Sequence, residues 1–206
     1  MTLSNWPKIW IAFLAGCIAA FQIGKTAASL AMIIDELGLS LFQAGLIVSL
    51  FTLVGALCGA GFGFVADRFG HLHTALAGLI ISASGSLLGA LTSDFSWLLA
   101  TRMLEGFGFI LCIVALPSLI SRSASSEDRP LAMGLWGAFM PAGIGASMLI
   151  TPELVGWHGW RGLWTDIGIV MLLWCALLYL GFRNDRPAAN VSAQASDIIT
   201  NAFRPG

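Results

Sequence analysis

Six long hydrophobic stretches run through this chain, and short polar segments separate them. Each is 18 residues or longer, and they cover approximately residues 8–34, 41–64, 74–91, 97–121, 131–149 and 162–182. About 20 apolar residues span the hydrocarbon core of a bilayer. Because lipid offers no partner for a backbone N–H or C=O group, each stretch is predicted to be a helix. The period-two alternation of a membrane barrel is absent.

Composition supports a membrane protein. The chain has 206 residues, of which 57% are hydrophobic and only 10% are charged, whereas a soluble domain carries roughly 25% charged residues. The formal net charge is −1, so no nucleic-acid partner is expected. The predicted fold class is therefore an all-α membrane protein with six transmembrane helices in residues 1–185. Residues 186–206 are polar and are interpreted as a cytoplasmic central-loop segment or tail.

The basic residues predict the orientation of the helices. With the N-terminus inside the cell, only Arg161 lies in an outer loop, and Lys25 and Arg102 lie within spans. Lys and Arg are enriched in cytoplasmic loops, so both termini are predicted to be cytoplasmic in a multi-pass protein of the bacterial plasma (inner) membrane. The seven basic residues that this orientation places inside are Lys8, Arg68, Arg122, Arg129, Arg183, Arg186 and Arg204.

No pattern of an enzyme or a metal site is present in the sequence. It lacks Gly-x-Ser-x-Gly, His-Glu-x-x-His and paired intramembrane aspartates. The cysteines lie inside apolar runs, where they are typical of small hydrophobic residues; they are Cys17, Cys58, Cys112 and Cys175. We therefore expect no catalytic residue, cofactor or metal ion. Trp97, Trp157, Trp160 and Trp164 are predicted to form an aromatic belt at the outer interface.

Four polar residues within the spans are the candidate solute-binding groups. Gln22 and Lys25 lie on the first span, and Arg102 and Glu105 on the fourth. Residues three apart share a helical face. From the helical rise, Lys25 lies roughly 13 Å and Glu105 roughly 12 Å from the outer ends of their spans, which predicts a matching depth. Ionisable groups inside a membrane are costly, and they are usually functional or paired.

Two interpretations of these four residues remain open. In the functional one, Lys25 and Arg102 attract an anionic solute, and arginine holds a carboxylate through two hydrogen bonds. Gln22 then orients the solute, and Glu105 holds a proton or pairs with Lys25 in the empty site. In the structural one, a permanent Lys25–Glu105 or Arg102–Glu105 pair only fixes the helices.

A short charged segment between the second and third spans carries a family resemblance. Residues 63–73 have the sequence Gly-Phe-Val-Ala-Asp-Arg-Phe-Gly-His-Leu-His. This resembles the pattern Gly-x-x-Ala-Asp-Arg-x-Gly that joins helices two and three in the major facilitator superfamily. The matching residues are Gly63, Ala66, Asp67, Arg68 and Gly70. The resemblance implies a cytoplasmic gating loop that latches two halves of a transporter.

The sequence departs from that pattern directly after the loop glycine. His71, Leu72 and His73 stand where the family has basic residues. An unperturbed histidine titrates at about pH 6.5, so a pH-dependent latch and tolerated sequence drift both remain open.

Weaker similarities extend over residues 5 to about 185. Residues 102–108 resemble the family's Arg-x-x-Gln-Gly-x-Gly, with Glu105 in place of the glutamine, and residues 159–161 resemble its Gly-Trp-Arg. The fifth span lacks the full Gly-Pro-x-x-Gly-Gly of the antiporters, which favours uptake by symport or facilitated exchange. Residues 22–40 and the Arg-x-x-Glu-Gly segment look closest to the cyanate and nitroimidazole transporter branch.

Family members contain two six-span halves, and this chain resembles the N-terminal half. The resemblance implies a secondary transporter, or half of one, that moves a small anionic solute by alternating access. Its partners would be the solute, the bilayer and a second six-helix half on the same or a separate chain. The alternatives are half of a multidrug/proton antiporter and a truncated membrane scaffold that does not transport.

Overall fold

The computed structural model describes residues 3–185, except the side chains of residues 52, 55–60 and 62. The predicted tail at 186–206 therefore lies outside the described residues, as do Arg186, Arg204 and the side chain of Cys58. The described chain is helical, without strands, which confirms the all-helical prediction. Its elements are α1 Trp6–Leu37, α2 Leu41–Phe69, α3 His71–Ala90, α4 Phe95–Ser123, α5 Arg129–Gly137 and α6 Phe139–Phe182.

Residues that favour helix ends allow sharp turns between neighbouring helices. Gly38 ends α1 in the left-handed conformation, with φ of 62°. Ser40 and Gln43 then form a reciprocal capping box at the start of α2, which satisfies backbone N–H groups that lack a helical partner. Asp94 caps α4 in a similar way, accepting a hydrogen bond from the Trp97 backbone N–H at 3.0 Å.

The predicted second and fifth spans differ from the structure by more than three residues. α2 continues to Phe69, beyond the predicted end at residue 64, because Asp67 and Arg68 extend its last turn without interrupting its backbone hydrogen bonds. The predicted fifth span is divided between α5 and α6 at Ala138. Pro141 has no N–H to donate to the carbonyl four residues earlier, so the helix is interrupted there.

The predicted loop at residues 153–161 is helical except at a sharp kink. Helical structure continues through α6 except at His158 and Gly159, and Gly159 has φ of 70° and ψ of 179°. The polar residues of this segment leave the helical hydrogen bonding intact on both sides. A glycine conformation that side chains rarely adopt, rather than polarity, makes the break.

Membrane-length helices are present, but the structure does not establish all six spans. Within the described residues, α1, α3, α4 and α6 are long and apolar enough to cross a membrane, and α2 contributes the shorter apolar segment Leu41–Phe51. The six-span count and the cytoplasmic position of both termini stay predictions.

Small residues allow the helices to approach closely. α1 packs chiefly against α6, and α3 packs against α4. A Cβ atom added to Gly78 of α3 would lie 2.7 Å from the Gly108 carbonyl oxygen and 2.8 Å from Cys112 Sγ on α4. Such contacts require glycine, as in many pairs of membrane helices. The close α3–α4 pair brings Ser82 and Ser86 of α3 towards Arg102 and Glu105 of α4.

Gly159→Ala is expected to destabilise the protein by about 1–3 kcal/mol, the usual cost of a strained backbone conformation. A Cβ atom at Gly159 would meet no atom within 4 Å, so the loss would come from the backbone conformation alone. Denaturant unfolding in lipid nanodiscs, followed by tryptophan fluorescence, would measure it.

Gly156→Ala is the matched control, because Gly156 also has open space around it but lies in the helical part of α6. It is expected to be neutral or slightly stabilising. Equal effects of the two substitutions would contradict the backbone explanation.

Candidate functional site

Lys25 of α1 and Glu105 of α4 form an ion pair in the interior of the bundle. The Lys25 Nζ atom lies 2.8 Å from Glu105 Oε1, and both side chains are 0% exposed. This direct contact agrees with the matching depths predicted from the helical rise. The pair joins two helices that are distant in the sequence.

Arg102 adds a second cation to the same carboxylate. Its Nη1 atom pairs with Glu105 Oε2, one helical turn away on α4. The guanidinium carbon lies 4.6 Å from the centre of the Phe51 ring and 5.6 Å from the centre of the Trp164 ring, a cation–π geometry. Two formal positive charges therefore share one formal negative charge.

Ser86 of α3 links Lys25 to α6. The Lys25 ammonium donates to Ser86 Oγ at 2.5 Å, and Ser86 donates its own hydrogen to the Trp164 carbonyl at 2.7 Å. An ammonium can only donate and a carbonyl oxygen can only accept, which fixes the direction of both bonds. The centre of the Trp164 ring lies 4.2 Å from Lys25 Nζ. The ammonium is therefore surrounded by a hydroxyl, a carboxylate and a ring face.

Gln22 lies one turn before Lys25 and is also fully buried. Its Nε2 atom donates to Met171 Sδ at 2.9 Å and approaches the Ser82 carbonyl at 3.5 Å. Ser82 in turn donates to the Glu105 carbonyl at 2.9 Å. The structure thus brings all four candidate solute-binding residues into one connected group, which we call the central cluster: Gln22, Lys25, Arg102 and Glu105, with Ser82, Ser86 and Trp164.

Gly85 provides the space for this carboxylate. A Cβ atom at that position would lie 2.7 Å from Glu105 Cγ and 2.9 Å from both the Glu105 nitrogen and the Thr101 carbonyl oxygen. A larger residue would displace Glu105 from between its two cations.

Three buried polar atoms of the central cluster have no hydrogen-bond partner among the described residues. They are Gln22 Oε1, Arg102 Nε and Trp164 Nε1. Most buried polar groups in proteins are hydrogen-bonded, so each exception needs an explanation such as a ligand or water.

Ser86 and Trp164 were not identified as site residues from the sequence. The aromatic-belt interpretation is wrong for Trp160 and Trp164, which are 1% and 0% exposed, whereas Trp97 and Trp157 are 49% and 74% exposed. The missed signal is helical periodicity. Trp160, Trp164, Ile167 and Met171 recur at helical spacing along one face of α6, and all four are buried.

A second polar cluster lies at the C-terminal end of α1. Glu36 accepts a hydrogen bond from Trp160 Nε1 at 2.5 Å and pairs with Arg161. Arg161 also donates to the Thr92 carbonyl at 2.7 Å. The Gly-Trp-Arg segment thereby ties α6 to the end of α1 and to the α3–α4 connection.

The predicted gating-loop residues surround the junction of α2 and α3. Gly70 forms this junction with φ of 88°. Asp67 and Arg68 have exposed side chains in the last turn of α2, while Gly63 and His71 are half-buried. Within residues 3–185, no ion pair is found for Asp67 or Arg68. None of these residues is among the contacts described above for the central cluster.

Membrane-length helices around a buried charged cluster define an integral, multi-pass membrane protein. The model of the Major Facilitator Superfamily matches residues 12–205. The chain belongs to this superfamily, whose members are membrane transporters.

Curated relatives carry several different solutes. The chain is 27% identical over 170 residues to a D-xylose transporter of Levilactobacillus brevis, covering 82% of this chain and 36% of the relative. It is 26% identical over 185 residues to a hexuronate transporter of Bacillus subtilis (strain 168), covering 90% of this chain and 44% of the relative. The chain thus spans less than half the length of either relative.

Solved structures show the same fold. The chain aligns with a bacterial homologue of the human lysosomal transporter Spinster, in an inward-facing and occupied conformation, with a TM-score of 0.84. The identity is 20%, and the alignment covers 92% of this chain and 47% of that one. At this identity the likeness concerns the fold alone. The likeness in fold does not identify the cyanate and nitroimidazole transporter branch, which stays a prediction.

Glu105→Gln is expected to lower stability strongly, because Lys25 and Arg102 would lose their shared counter-charge. Breaking a buried ion pair on one side costs about 3–5 kcal/mol. Denaturant unfolding in nanodiscs would measure this loss.

Asp185→Asn supplies a control, since Asp185 pairs with Lys8 and its side chain is 45% exposed. An exposed pair contributes about 0–1 kcal/mol. Equally small losses for both variants would contradict a charged central cluster.

Proposed function

We propose that this chain forms the N-terminal six-span half of a secondary transporter that moves a small anionic solute by alternating access. The observation that supports this is the central cluster, where Lys25 and Arg102 share Glu105. The formal charge is +1, and an uncompensated charge is costly away from water. An anionic solute would remove this imbalance, so the cluster favours anions over neutral or cationic solutes.

Each candidate residue has a role in this proposal. Arg102 binds the anionic group with its planar guanidinium, and Lys25 adds a point charge. Gln22 orients the solute by hydrogen bonding. Glu105 holds both cations in the empty site and releases them as the solute enters.

The proposed topology counts α5 with the first part of α6 as the fifth span and the chain after Gly159 as the sixth. Both termini are cytoplasmic in the bacterial inner membrane, because this orientation follows the distribution of basic residues. The junction of α2 and α3 then lies on the cytoplasmic side. There the exposed Asp67 and Arg68 contact a second six-helix half, with Gly63, Gly70 and His71 shaping the loop.

The named solutes of the relatives differ in charge, so they do not select the anion by themselves. A hexuronate is anionic and fits the cluster, whereas D-xylose is neutral. A multidrug antiporter would bind lipophilic cations, which the positive cluster disfavours. A scaffold would use the same ion pairs only to fix its helices and would bind none of these solutes.

Lys25→Ala and Arg102→Ala are each expected to weaken binding of D-glucuronate by about tenfold or more, because a charge-assisted hydrogen bond contributes about 1.5–3 kcal/mol. Equilibrium binding to the chain in nanodiscs would measure this, with counterflow in proteoliposomes that also hold the second six-helix half as the test of transport. D-xylose, which is D-glucuronate without its carboxylate, is expected to bind weakly, as is tetraphenylphosphonium.

Lys8→Ala is the control, since Lys8 is a cation at the other end of α1, paired with Asp185. It is expected to leave affinity unchanged. Wild-type binding by both Lys25→Ala and Arg102→Ala would remove their solute role and favour the structural interpretation. Tight binding of tetraphenylphosphonium would favour the multidrug antiporter.

The mass of the native product tests whether a second six-helix half is present. An immunoblot of native membranes against the N-terminus is expected to show a band at roughly twice the 21.8 kDa of this chain, because family members contain two six-span halves. A band at 21.8 kDa, with no second half co-purifying, would contradict both the half-transporter and its latch.

A further inference from the structure

The unpartnered atoms of the central cluster are a specific set of one acceptor and two donors. Gln22 Oε1 can accept a hydrogen bond, while Arg102 Nε and Trp164 Nε1 can each donate one. All three are buried without a partner among the described residues. Lys25, by contrast, already has Ser86 and Glu105 as acceptors and a ring face against it.

The Trp164 ring is held in its position by its neighbours. A Cβ atom at Gly89 would lie 2.5 Å from Trp164 Cζ3 and 2.6 Å from Cε3, so this edge of the indole lies directly against α3. Lys25 lies over the ring face. The Nε1 atom is on the opposite edge of the indole, and the ring cannot turn to find a partner without losing both contacts.

The Gln22 amide is also fixed in its orientation. Its nitrogen faces Met171 Sδ and the Ser82 carbonyl, and both are acceptors. Exchanging the amide nitrogen and oxygen would place an acceptor against two acceptors, so the oxygen must occupy the unpartnered side.

We propose that Trp164 is a solute-binding residue and that the solute is a small monocarboxylate bearing hydroxyl groups. The indole Nε1–H and the Arg102 Nε–H donate to the carboxylate, and Gln22 Oε1 accepts from a hydroxyl. This inference rests on the proposed anion-binding function and extends it to a class of solute.

Charge selects one carboxylate rather than two. Lys25, Arg102 and Glu105 carry a formal sum of +1, which a single carboxylate neutralises. A dicarboxylate would leave a formal charge of −1 and a neutral sugar would leave +1, and either imbalance is costly in a buried site. Succinate and D-xylose are therefore expected to bind less tightly than D-glucuronate.

The decisive variant is Trp164→Phe, because phenylalanine keeps an aromatic ring beside Lys25 but removes the N–H group. Affinity for D-glucuronate is expected to fall about tenfold, the effect of losing a hydrogen bond to a charged group. The smaller ring leaves space beside Gly89, so the empty protein is expected to lose some stability through packing, although the lost N–H has no partner there. Binding and denaturant unfolding would be measured on the full chain in nanodiscs.

Trp174→Phe is the matched control on the same helix. Trp174 Nε1 donates to the Ile11 carbonyl at 2.9 Å, so its removal should lower stability and leave affinity unchanged. Arg102→Lys is a second test, since lysine keeps the positive charge but removes Nε, and it is expected to lower affinity for D-glucuronate.

Cyclohexanecarboxylate tests the hydroxyl contact, because it has a six-membered ring and one carboxylate without hydroxyls. It is expected to bind about tenfold more weakly than D-glucuronate and to lose little in Gln22→Leu.

Different results would separate the two proposals. An affinity of Trp164→Phe no lower than that of Trp174→Phe would overturn the role of Trp164 while leaving the anion site intact. Equal affinity for D-glucuronate and cyclohexanecarboxylate would overturn the proposal that the solute bears hydroxyl groups. If neither D-glucuronate nor cyclohexanecarboxylate binds, both the anion site and this inference are overturned.

Discussion

Burial of charge is the constraint on which the rest of this structure depends. Lys25, Arg102 and Glu105 are almost completely removed from solvent, and ionised groups in such surroundings persist only when they are paired and hydrogen-bonded. Each helix beside these buried charges supplies a group that stabilises one of them. α3 provides Ser86, α6 provides the Trp164 ring, and α2 provides the Phe51 ring.

The close packing of the helices follows from the same constraint. The Glu105 carboxylate reaches both cations because Gly85 leaves room beside it. The bundle is also tied at both ends of α1. Glu36 pairs with Arg161 at one end and Lys8 pairs with Asp185 at the other. These pairs join α1 to α6 near one end and to the residue Asp185 that follows α6 at the other.

Hydrophobic runs and intramembrane charges predicted the helical class and four residues of the central cluster, Gln22, Lys25, Arg102 and Glu105, because lipid and buried charge impose few alternatives. They did not predict details that depend on single backbone positions or on the packing of a side chain. Polarity suggested a loop at residues 153–161, but the kink is confined to His158 and Gly159. Trp164 resembled an interface residue because tryptophan is common there, whereas its actual position follows from the buried face of α6.

A shared carboxylate also provides a physical link between solute binding and helix movement in the proposed transporter. In that proposal Glu105 and an anionic solute would compete for the same cations, so binding of the solute would weaken the contact between α1 and α4 through Lys25. By thermodynamic reciprocity, a conformation with that contact loosened must bind the anion more tightly. Ser86 would connect the change to α6, because the hydroxyl that accepts from Lys25 also donates to the Trp164 carbonyl. A permanent structural pair would lack this coupling, since no ligand would bind the two conformations differently.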